Sequence, residues 1–451
     1  MSYSRGVKNT ANQYRTHMVG DLNTSLIGTT VHLAGWVQVI RAQSKIIFLV
    51  LRDYDGLVQC VVLPEHEEAF SVAKKISQES VITVEGIIVA AKQAQSGFEL
   101  QVTALTVISA ADPQLPIPVV EKSENETDQA IRLDYRWLDL RKPQKLLVFK
   151  VWTHLEQALR DFFIEQKFLQ IHSPKLMSSP SESGAEVFEV KYFDKLAYLA
   201  QSPQFYKQMA MAAGFERVFE IGPVFRAEPS FTTRHATEFT GFDFEISFIT
   251  SHQDVIDIWS KAIAYALEQV KNKLGKEIQE HYGIDVVVPS FPFPQLTMSE
   301  AKALLAKKNI ENERDGDLSP EEERALGTIA KEQYGHEFVF VTEYPSSVRP
   351  FYHMRKEDDA NATLSFDLLW KGLEITTGAQ REHRYDVLKK QAKEKGMQES
   401  SIQDYLNFFR YGCPPHGGAG IGFGRMVMLM LNLESIREAS YVYRGVKRLT
   451  P

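Results

Sequence analysis

Five short runs of β-branched and apolar residues between positions 30 and 110 are the feature that most restricts how this chain can fold. Turn-like stretches such as RDYDG and AQSG separate several of them, and a helix-like segment, EEAFSVAKKIS, lies between the third run and the fourth. Five strands with a helix in that place match the OB-fold, a five-stranded β-barrel. We therefore predict a barrel domain over residues 1–111. The runs are VHLAGWVQVI, IIFLVLRD, LVQCVVL, SVITVEGIIVA and FELQVTALTVIS.

The chain after the barrel indicates a hinge and a second, larger domain. The stretch DPQLPIPVVEKSENETD combines prolines with charged residues, which is typical of a linker, and we place the hinge at residues 112–135. Residues 136–451 mix helical and strand patterns, so we predict an α+β domain with a mainly helical insertion at about 265–340. This domain starts with an amphipathic helix, VWTHLEQALRDFFIEQ, and approaches its end with a glycine run that leads into an apolar helix, HGGAGIGFGRMVMLMLNL.

The composition argues against several other classes of protein. No apolar run approaches the roughly 20 residues of a membrane-spanning helix, and the polar N-terminus lacks the apolar region of a secretory signal. Cys60 and Cys413 lie far apart without CxxC or HxxxH company, which disfavours a zinc site or a disulfide framework and fits a reducing cytoplasm. The net charge of −7 argues against a protein that coats nucleic acid nonspecifically. A basic N-terminal arm with Arg5 and Lys8 is still able to touch phosphates.

The segment RAEPSFTTRHATEF, residues 226–239, concentrates cations: Arg226, Arg234 and His235 occur there, with no acidic residue between Glu228 and Glu238. We interpret it as a loop whose cations are available to a ligand. The alternative is a solvent-exposed hairpin with ordinary surface charges, and the hairpin alone favours that alternative. The next strand, EFTGFDFEISFI, alternates between an apolar face, expected in the core, and a polar face at the site. The first face has Phe242, Phe244, Ile246 and Phe248, and the second has Asp243 and Glu245.

Two further clusters favour the ligand-binding interpretation. In LEITTGAQR, Glu374 and Thr377 are three residues apart, so a carboxylate and a hydroxyl can reach one Mg²⁺ ion, which prefers oxygen ligands. In GGAGIGFGR, the glycines let the backbone approach a ligand, and Arg425 offers a fork that suits phosphate. The glycine run is neither a Walker loop nor a GxGxxG motif.

These three clusters, in this order, resemble motifs 2 and 3 of the class II aminoacyl-tRNA synthetases, with a Mg²⁺-binding strand between them. Pro174 is similar to the motif 1 proline at that family's dimer interface. LAQSPQFYKQ, GAQREHR, YGCPPHGG and the terminal KRLTP resemble the aspartyl subgroup of archaeal and eukaryotic type. The resemblance covers nearly the whole chain. It implies an OB-fold that reads the anticodon, joined to a catalytic domain in which helices flank an antiparallel sheet.

The resemblance also implies an activity. Such an enzyme activates L-aspartate with ATP and Mg²⁺ to aspartyl-adenylate and transfers the aspartate to the 3′ end of tRNA(Asp). It implies a cytoplasmic homodimer with no membrane partner. Adenylation requires position and electrostatic stabilisation rather than a side-chain nucleophile. This agrees with the absence of any convincing Ser-His-Asp or Cys-His arrangement in the sequence.

At the ATP end, the resemblance implies that Arg226 holds the α-phosphate and Arg425 the γ-phosphate. Both would be catalytic, together with Glu374. Arg234 and His235 would contact the phosphates and the acceptor end of the tRNA. The remaining implied ligands are Glu228 and Glu245 near ATP, and Glu374 with Thr377 on Mg²⁺.

At the amino-acid end, the resemblance implies that Lys207 and Arg381 clamp the side-chain carboxylate of aspartate, with Asp243 orienting Arg381. Both cations are donor-only, so an asparagine amide would point its own NH₂ group at them. Selection of aspartate would follow from that unpaired donor and the lost charge. The other implied contacts are Gln204, Thr377 and Glu182, the last in the loop SESGA.

Three departures from the family pattern bear on rate more than on ligand contacts. Gly424 stands where an acidic residue usually precedes the motif 3 arginine. VYRG, residues 442–445, stands where FPRD is usual, and Ser183 replaces a common glycine.

In the barrel, the resemblance implies that Phe48 stacks on the middle anticodon base, with Gln59 and Glu99 hydrogen-bonding base edges. By pattern alone, Phe48 fits the barrel core equally well. Gln38, two residues after the tryptophan of GWV, is expected near the third anticodon base, where tRNA(Asp) has cytosine and tRNA(Asn) has uracil. A glutamine amide that rotates offers a donor or an acceptor. We therefore expect poor discrimination, with tRNA(Asn) as a second substrate.

Two other functions remain open at this stage. One is a paralogue that converts aspartate to asparagine through an adenylate, although such paralogues typically lack the anticodon domain. The other is a catalytically silent tRNA-binding protein, against which the joint presence of Arg226, Glu374 and Arg425 argues.

Overall fold

The computed structural model describes residues 12–94, 96–121, 126–180, 186–310 and 314–451. Glu182, Ser183 and the arm with Arg5 and Lys8 lie outside these ranges, so what the sequence implies for them stays a prediction. The chain divides into two compact units, Met1–Pro143 and Gln144–Pro451. Within the described ranges, no helix has both the length and the apolar character needed to cross a membrane.

The first unit is built around a closed five-stranded barrel, and the predicted OB-fold is confirmed. Its elements are β1 (Thr30–Gln43), β2 (Ile46–Arg52), β3 (Leu57–Val62), α1 (Glu67–Ala73), β4 (Val81–Ala90), β5 (Phe98–Ser109), α2 (Gln129–Asp134) and α3 (Arg136–Asp139). The strand order is β1-β2-β3-β5-β4. Inward side chains alternate with outward ones, so Ile47, Leu49 and Leu51 are fully buried on β2.

Part of the predicted hinge is helical and takes part in a cluster of ion pairs. α2 and α3 bring two arginines onto one buried carboxylate, since Arg136 and Arg132 donate to Oδ2 of Asp139 at 2.7 Å and 3.2 Å. Lys142 lies 3.2 Å from Oδ1 of the same residue. A buried carboxylate with three cations around it holds these helices together by charge-assisted hydrogen bonds rather than by an apolar core.

The second unit contains an eight-stranded sheet, and the boundary between the units falls inside the first turn of its first helix. The elements of the second unit are α4 (Pro143–Glu165), β6 (Leu169–Gln170), β7 (Leu176–Met177), β8 (Glu189–Tyr192), β9 (Lys195–Leu199), α5 (Gln204–Ala212), β10 (Arg217–Phe225), β11 (Glu238–Ser247), α6 (His252–Tyr282), β12 (Gln295–Thr297), α7 (Met298–Lys307), α8 (Pro320–Tyr334), β13 (Phe338–Thr342), β14 (Ser365–Trp370), β15 (Leu373–Arg381), α9 (Tyr385–Glu394), α10 (Gln403–Arg410), β16 (His416–Gly422), α11 (Phe423–Met430) and α12 (Ile436–Ala439).

The order of strands in the large sheet is β12-β13-β14-β15-β16-β11-β10-β6. The pairs are antiparallel except at the two edges, where β12 runs parallel to β13 and β6 runs parallel to β10. The last strand in sequence, β16, lies between β11 and β15. This order places the arginine-rich hairpin, the glycine run and the Glu374 strand side by side. The predicted α+β class is confirmed.

One face of the sheet is covered by long helices. Phe163 of α4 packs against Phe242 and Phe244 of β11, with ring centroids 5.0 Å and 5.1 Å apart. Trp259 of α6 stacks on Phe242 and donates to the hydroxyl of Thr376 at 2.9 Å. The prediction that Phe248 belongs to this core is wrong. β11 ends at Ser247, the next residue turns to a φ of 58°, and its side chain is 68% exposed.

The predicted insertion contains α7, α8, the edge strand β12 and most of its neighbour β13, and their apolar side chains pack in one cluster with Leu369 of β14. Its expected start at about residue 265 falls inside α6, which continues without a break to Tyr282. α8 begins with a capping box, because the Ser319 side chain accepts from the backbone of Glu322 and the Glu322 carboxylate accepts from that of Ser319.

Candidate active site

A cavity of about 410 Å³ opens in the second unit where the three sequence clusters meet. It gathers most of the residues predicted to bind ATP or the amino acid. Lys207 and Glu245 do not line it, and Glu182 lies outside the described residues. The predicted residues that line it are Gln204, Arg226, Glu228, Arg234, His235, Asp243, Glu374, Thr377, Arg381 and Arg425.

The arginine-rich loop begins where β10 and β11 part. Phe225 pairs with Glu238, and the backbone N–H of Arg226 donates to Thr237 at 2.9 Å, which closes the loop at its base. The Arg226 guanidinium lies over the ring of Phe239, 5.6 Å from its centroid, and 3.7 Å from the carboxylate of Glu228. It remains half-exposed beside the cavity, so its donors are available to an anion.

The C-terminal segment supports the same loop. The backbone N–H of Thr237 donates to Arg444 at 3.1 Å, and the Tyr443 hydroxyl donates to the His235 carbonyl at 3.0 Å. Although VYRG stands where FPRD is usual, the C-terminal segment still makes hydrogen bonds to the arginine-rich loop. Burial and the nearby charge of Arg425 lower the pKa of His235, which keeps its ring neutral at pH 7.

One cation of the loop has a partner that the local sequence did not indicate. Arg234 Nη1 donates to Oε2 of Glu323 at 2.9 Å, so this loop cation has an acidic partner from a distant part of the chain. Glu323 lies on α8, 89 residues further along the chain. Burial and the charge of Glu374 raise the pKa of Glu323 to about 7, against the opposing effect of Arg234 and Arg425.

Oxygen atoms converge on the strand pair β14–β15. The Thr377 hydroxyl donates to Oε1 of Glu374 at 3.2 Å, and Arg425 Nη1 donates to the Glu374 carbonyl at 2.8 Å. Although burial opposes it, Arg425 and Arg349 are the main charges that hold the pKa of Glu374 below its ordinary value. Asp367, which the sequence analysis missed, lies directly across from Thr377.

Asp367 is buried with one oxygen unused. Its Oδ2 accepts from Arg349 Nη2 at 2.6 Å, while its Oδ1 has no hydrogen-bond partner among the described residues. Burial, with a contribution from Glu374, raises the pKa of Asp367 to about 6, although Arg349 opposes the shift. An orphaned buried oxygen beside Glu374 and Thr377 fits a hard divalent cation. No group of three or more His, Cys, Asp or Glu side chains meets metal-site geometry in the described ranges.

The segment Arg349–Met354 closes the cavity on one side and carries residues that no sequence motif indicated. The His353 side chain is buried, and its Nε2 lies 2.9 Å from Nη1 of Arg381. Because arginine only donates, that ring nitrogen must be the acceptor. Burial and the charges of Arg381 and Arg349 hold the pKa of His353 well below its ordinary value. Its Nδ1 has no hydrogen-bond partner in the described residues.

The amino-acid end of the cavity has a buried charge cluster beneath it, which corrects two predicted roles. Arg381 is oriented by Glu245, whose Oε1 accepts from Nε at 2.9 Å, and by the Gly418 carbonyl at 2.9 Å, rather than by Asp243. Glu245 is fully buried and does not border the cavity, so it is not placed to contact ATP. Burial would raise the pKa of Glu245, but Arg381 and Lys207 hold it below its ordinary value.

Lys207 belongs to that cluster and does not line the cavity. Its side chain is fully buried, with Nζ 2.8 Å from Asp243 Oδ1 and 3.4 Å from Glu245 Oε2. The carbonyls of Ala419 and Phe244 accept from it at 3.2 Å and 3.4 Å. The ammonium group is therefore surrounded by two carbonyl acceptors and two carboxylates. The expected direct clamp by Lys207 is therefore not present, and Arg381 is the cluster's cation at the cavity.

The glycine run serves the protein interior as well as the ligand site. A Cβ on Gly418 would lie 2.0 Å from the Phe244 carbonyl and 2.3 Å from the Glu245 carboxylate. A Cβ on Gly417 would lie 2.6 Å from the Ile249 side chain. Only glycine lets β16 pass so close over the charge cluster. Gly420, Gly422 and Gly424 do border the cavity, as predicted for a backbone that meets a ligand.

A second candidate site lies on the outer face of the barrel. Phe48 is half-buried between the fully buried Ile47 and Leu49, so the barrel-core interpretation of Phe48 is wrong. Gln59 Nε2 donates to Glu99 Oε2 at 2.8 Å, which places these two predicted base-reading residues together.

Gln38 is held in one orientation. Its Oε1 accepts from Arg52 Nη1 at 3.2 Å, and Arg52 makes two hydrogen bonds to the buried carboxylate of Glu79, at 3.0 Å and 2.7 Å. Since arginine cannot accept, the amide oxygen must face Arg52 and the amide NH₂ must face away. The expectation of a freely rotating amide is therefore wrong, and Gln38 presents a donor.

Two family models match this arrangement of barrel and catalytic sheet. Residues 128–442 match tRNA synthetases class II (D, K and N), and residues 31–108 match the OB-fold nucleic acid binding domain. The chain belongs to the class II tRNA synthetases. The predicted enzyme class, a ligase that forms aminoacyl-tRNA, is confirmed.

Curated relatives of this class II synthetase extend the match along the chain. It is 43% identical to the aspartate–tRNA(Asp/Asn) ligase of Aeropyrum pernix over 95% of this chain and 97% of the relative. It is 41% identical to the aspartate–tRNA(Asp) ligase of Pyrococcus abyssi over 97% and 100%. Among solved structures, the asparaginyl-tRNA synthetase of Pyrococcus horikoshii with asparaginyl-adenylate superposes with a TM-score of 0.90 at 35% identity, over 96% of this chain and 99% of that one.

Proposed function

We propose that the chain is an aspartate–tRNA ligase, which activates L-aspartate with ATP and transfers it to the 3′ end of tRNA(Asp). The observation that carries the proposal is one cavity with phosphate-binding cations at one end and a buried, donor-only guanidinium at the other. Arg226 and Arg425 line the first end, and Arg381 lines the second. A molecule with phosphates and a molecule with a carboxylate side chain then meet between them.

At the phosphate end, Arg226 binds the α-phosphate and Arg425 the γ-phosphate, with Arg234, His235 and Glu228 around them. Charge develops on these phosphate oxygens as the aspartate carboxylate attacks the α-phosphorus and pyrophosphate leaves. Fixed guanidinium groups stabilise that charge, and no side-chain nucleophile is needed. A typical loss for removing one such donor is ~10²–10³-fold in rate.

Mg²⁺ fits the oxygen atoms of β14 and β15. Glu374 and Thr377 are the predicted ligands, and Asp367, with an unused buried oxygen opposite Thr377, is a third candidate. One or two carboxylates are the usual protein share of a Mg²⁺ site that also takes oxygens from phosphate. When bound, the ion neutralises phosphate charge.

At the amino-acid end, Arg381 recognises the side-chain carboxylate. Glu245 and His353 hold its guanidinium from two directions, so the Arg381 side chain loses little conformational entropy when the ligand binds. An asparagine side chain would bring its NH₂ group against N–H donors and would lose the charge interaction. Gln204 and Asp243, which line the same end, are acceptors for the α-ammonium group.

The outer face of the barrel is the proposed anticodon site. Phe48 stacks on the middle base, and Gln59 with Glu99 contacts base edges. The fixed NH₂ of Gln38 can donate to O2 of either cytosine or uracil and to O4 of uracil, so it does not reject the third anticodon base of tRNA(Asn). We therefore include tRNA(Asn) as a second substrate, whose Asp-tRNA(Asn) product requires later amidation.

The apolar edge near Pro174 fits a homodimer. Leu169 on the edge strand β6 is 53% exposed, and Ile164, Phe215 and Phe248 are also about half-exposed or more. Large exposed apolar side chains at an unpaired strand edge are typical of a protein interface. Within the described residues, the two cysteines are free thiols, which supports a cytoplasmic location.

ATP–pyrophosphate exchange tests the proposal directly. We expect Mg²⁺-dependent exchange with aspartate and much weaker exchange with asparagine. Exchange with asparagine but not with aspartate would exclude the assignment, and no exchange with either would favour a silent tRNA-binding protein.

Charging purified tRNA(Asp) and tRNA(Asn) side by side tests the second substrate. We expect kcat/KM values within about tenfold of each other. A preference for tRNA(Asp) of a hundredfold or more, about 2.7 kcal/mol, would contradict dual specificity.

A further inference from the structure

Helix α8 brings a carboxylate from the helical insertion to the phosphate end of the cavity. The helix docks on the turn between β14 and β15 by backbone contact. A Cβ on Gly327 would lie 2.4 Å from the backbone nitrogen of Gly372, and a Cβ on Gly372 would lie 2.7 Å from the Cα of Arg324. Such close contact between two backbones leaves little freedom for the helix to slide or rotate.

Both ends of this helix segment are fixed. Upstream, Ser319 caps the first turn, and the Glu322 carboxylate accepts from Lys302 Nζ at 2.7 Å. Downstream is the Gly327 contact. Glu323 lies between these anchors, one helical turn before Gly327, and its side chain is only 12% exposed. Its carboxylate is therefore held in place before any ligand arrives.

Arg234 uses only part of its hydrogen-bonding capacity on this carboxylate. A guanidinium has five N–H donors in a planar fork. Nη1 donates to Glu323, and the other side-chain N–H groups donate to no acceptor in the described residues. The residue borders the cavity, so the unused part of the fork is available on the ligand side.

We propose that Glu323 is a positioning residue, which holds Arg234 at a fixed orientation so that its remaining N–H groups meet the phosphates of ATP. The inference rests on the proposed function of the cavity. A long side chain on the loop between β10 and β11, residues 226–237, would otherwise lose much rotational freedom on binding, and the carboxylate removes that freedom in advance. The insertion thereby contributes to ATP binding without touching the nucleotide.

Steady-state kinetics of three variants test the role of Glu323. Glu323→Ala should raise KM for ATP at least tenfold and leave KM for aspartate within twofold. Glu323→Gln keeps the shape and a hydrogen-bond acceptor and should show a smaller rise. Glu321→Gln, on the exposed face of the same helix, is the matched control and should behave as the wild type.

A double-mutant cycle separates positioning from general damage. Arg234→Ala should raise KM for ATP by at least as much as Glu323→Ala. The double variant should have a KM for ATP no more than twofold higher than that of Arg234→Ala alone. The proposal would be overturned if the effects of the two single substitutions on KM for ATP multiply in the double variant. It would also be overturned if Glu323→Ala leaves KM for ATP unchanged or raises KM for ATP and KM for aspartate equally. A lower KM for ATP would show instead that Glu323 competes with ATP for Arg234.

Two controls keep this result separate from other failures. Calorimetry measures the Kd of a nonhydrolysable ATP analogue for the same variants without a reaction. The role of Glu323 can therefore be tested even if the protein does not activate aspartate. If Glu323→Ala does not fold, the near-isosteric Glu323→Gln carries the comparison. In that case a KM for ATP within 1.5-fold of wild type would overturn the proposal, and a larger rise confined to ATP would support it.

Discussion

Replacing Lys207 with methionine removes one of the two cations in the buried charge cluster. Methionine has nearly the same volume as the lysine stem, so the packing is kept while the charge is lost. The ammonium group lies 2.8 Å from Asp243, at the edge of the cavity, and 3.4 Å from Glu245, which is fully buried. In the variant, these two carboxylates have only Arg381 to balance them.

The cost follows from those distances. At an effective dielectric constant of about 20, charges at these separations attract by roughly 6 and 5 kcal/mol, most of which is offset by the cost of burying the lysine. Removing one partner of a buried pair costs about 3–5 kcal/mol, because the remaining charge stays buried and uncompensated. At ~2–4 °C per kcal/mol, Tm should fall by roughly 6–20 °C.

Thermal unfolding of four proteins checks this reasoning. Lys207→Met should show the fall in Tm, and adding Asp243→Asn should recover a substantial part of it by restoring the charge balance. Lys276→Met, at a lysine that is 90% exposed on α6, is the control and should leave Tm within about 1 °C. In exchange assays below the transition, KM for aspartate should rise more than KM for ATP, since Arg381 loses its fixed surroundings.

Two outcomes would refute the assignment of Lys207 to charge balance. One is a Tm within 2 °C of wild type together with a large rise in KM for aspartate, which would mean that Lys207 reaches the ligand directly. The other is a double variant that is less stable than Lys207→Met alone.

Three further predictions follow from the same structure. Arg226→Ala should lower the rate of ATP–pyrophosphate exchange by ~10²–10³-fold with Tm unchanged, and a loss below tenfold would remove Arg226 from the reaction. Phe48→Ala should weaken tRNA charging by about 1–3 kcal/mol of stacking in kcat/KM without lowering Tm; a lower Tm with intact charging would contradict the anticodon role. Burial lowers the pKa of His416 from 6.5 to about 4. Between about pH 6.5 and pH 4, the imidazole of His416 is protonated in the unfolded chain but neutral in the folded one. The free energy of unfolding should therefore fall by up to ~3 kcal/mol as the pH drops through this range. Urea unfolding at pH 7 and pH 5 should show a smaller fall for His416→Gln, and an equal fall would refute this origin.

The barrel and the cations of the site could be predicted from the sequence because both depend on local patterns. Alternation with a period of two puts Ile47, Leu49 and Leu51 on one face of β2 and Phe48 on the other, and the barrel itself shows which face lies inside. The cations of residues 226–239 indicate a ligand site without tertiary information only when the Glu374 cluster and the glycine run are considered with them. The family resemblance then supplied a role for each site residue, and ten of the residues predicted to bind ATP or the amino acid line one cavity.

The pairing of charges was decided only by the tertiary structure. Arg381 and Glu245 are 136 residues apart, and Arg234 and Glu323 are 89 residues apart, so no local pattern links them. The last strand, β16, inserts between β11 and β15 and fixes which carboxylate meets which cation. Asp243 and Glu245 share one face of β11 and were indistinguishable in sequence. Depth decides their roles, because Glu245 lies fully buried under the glycines of β16, where only an ion pair makes a carboxylate tolerable, while Asp243 borders the cavity.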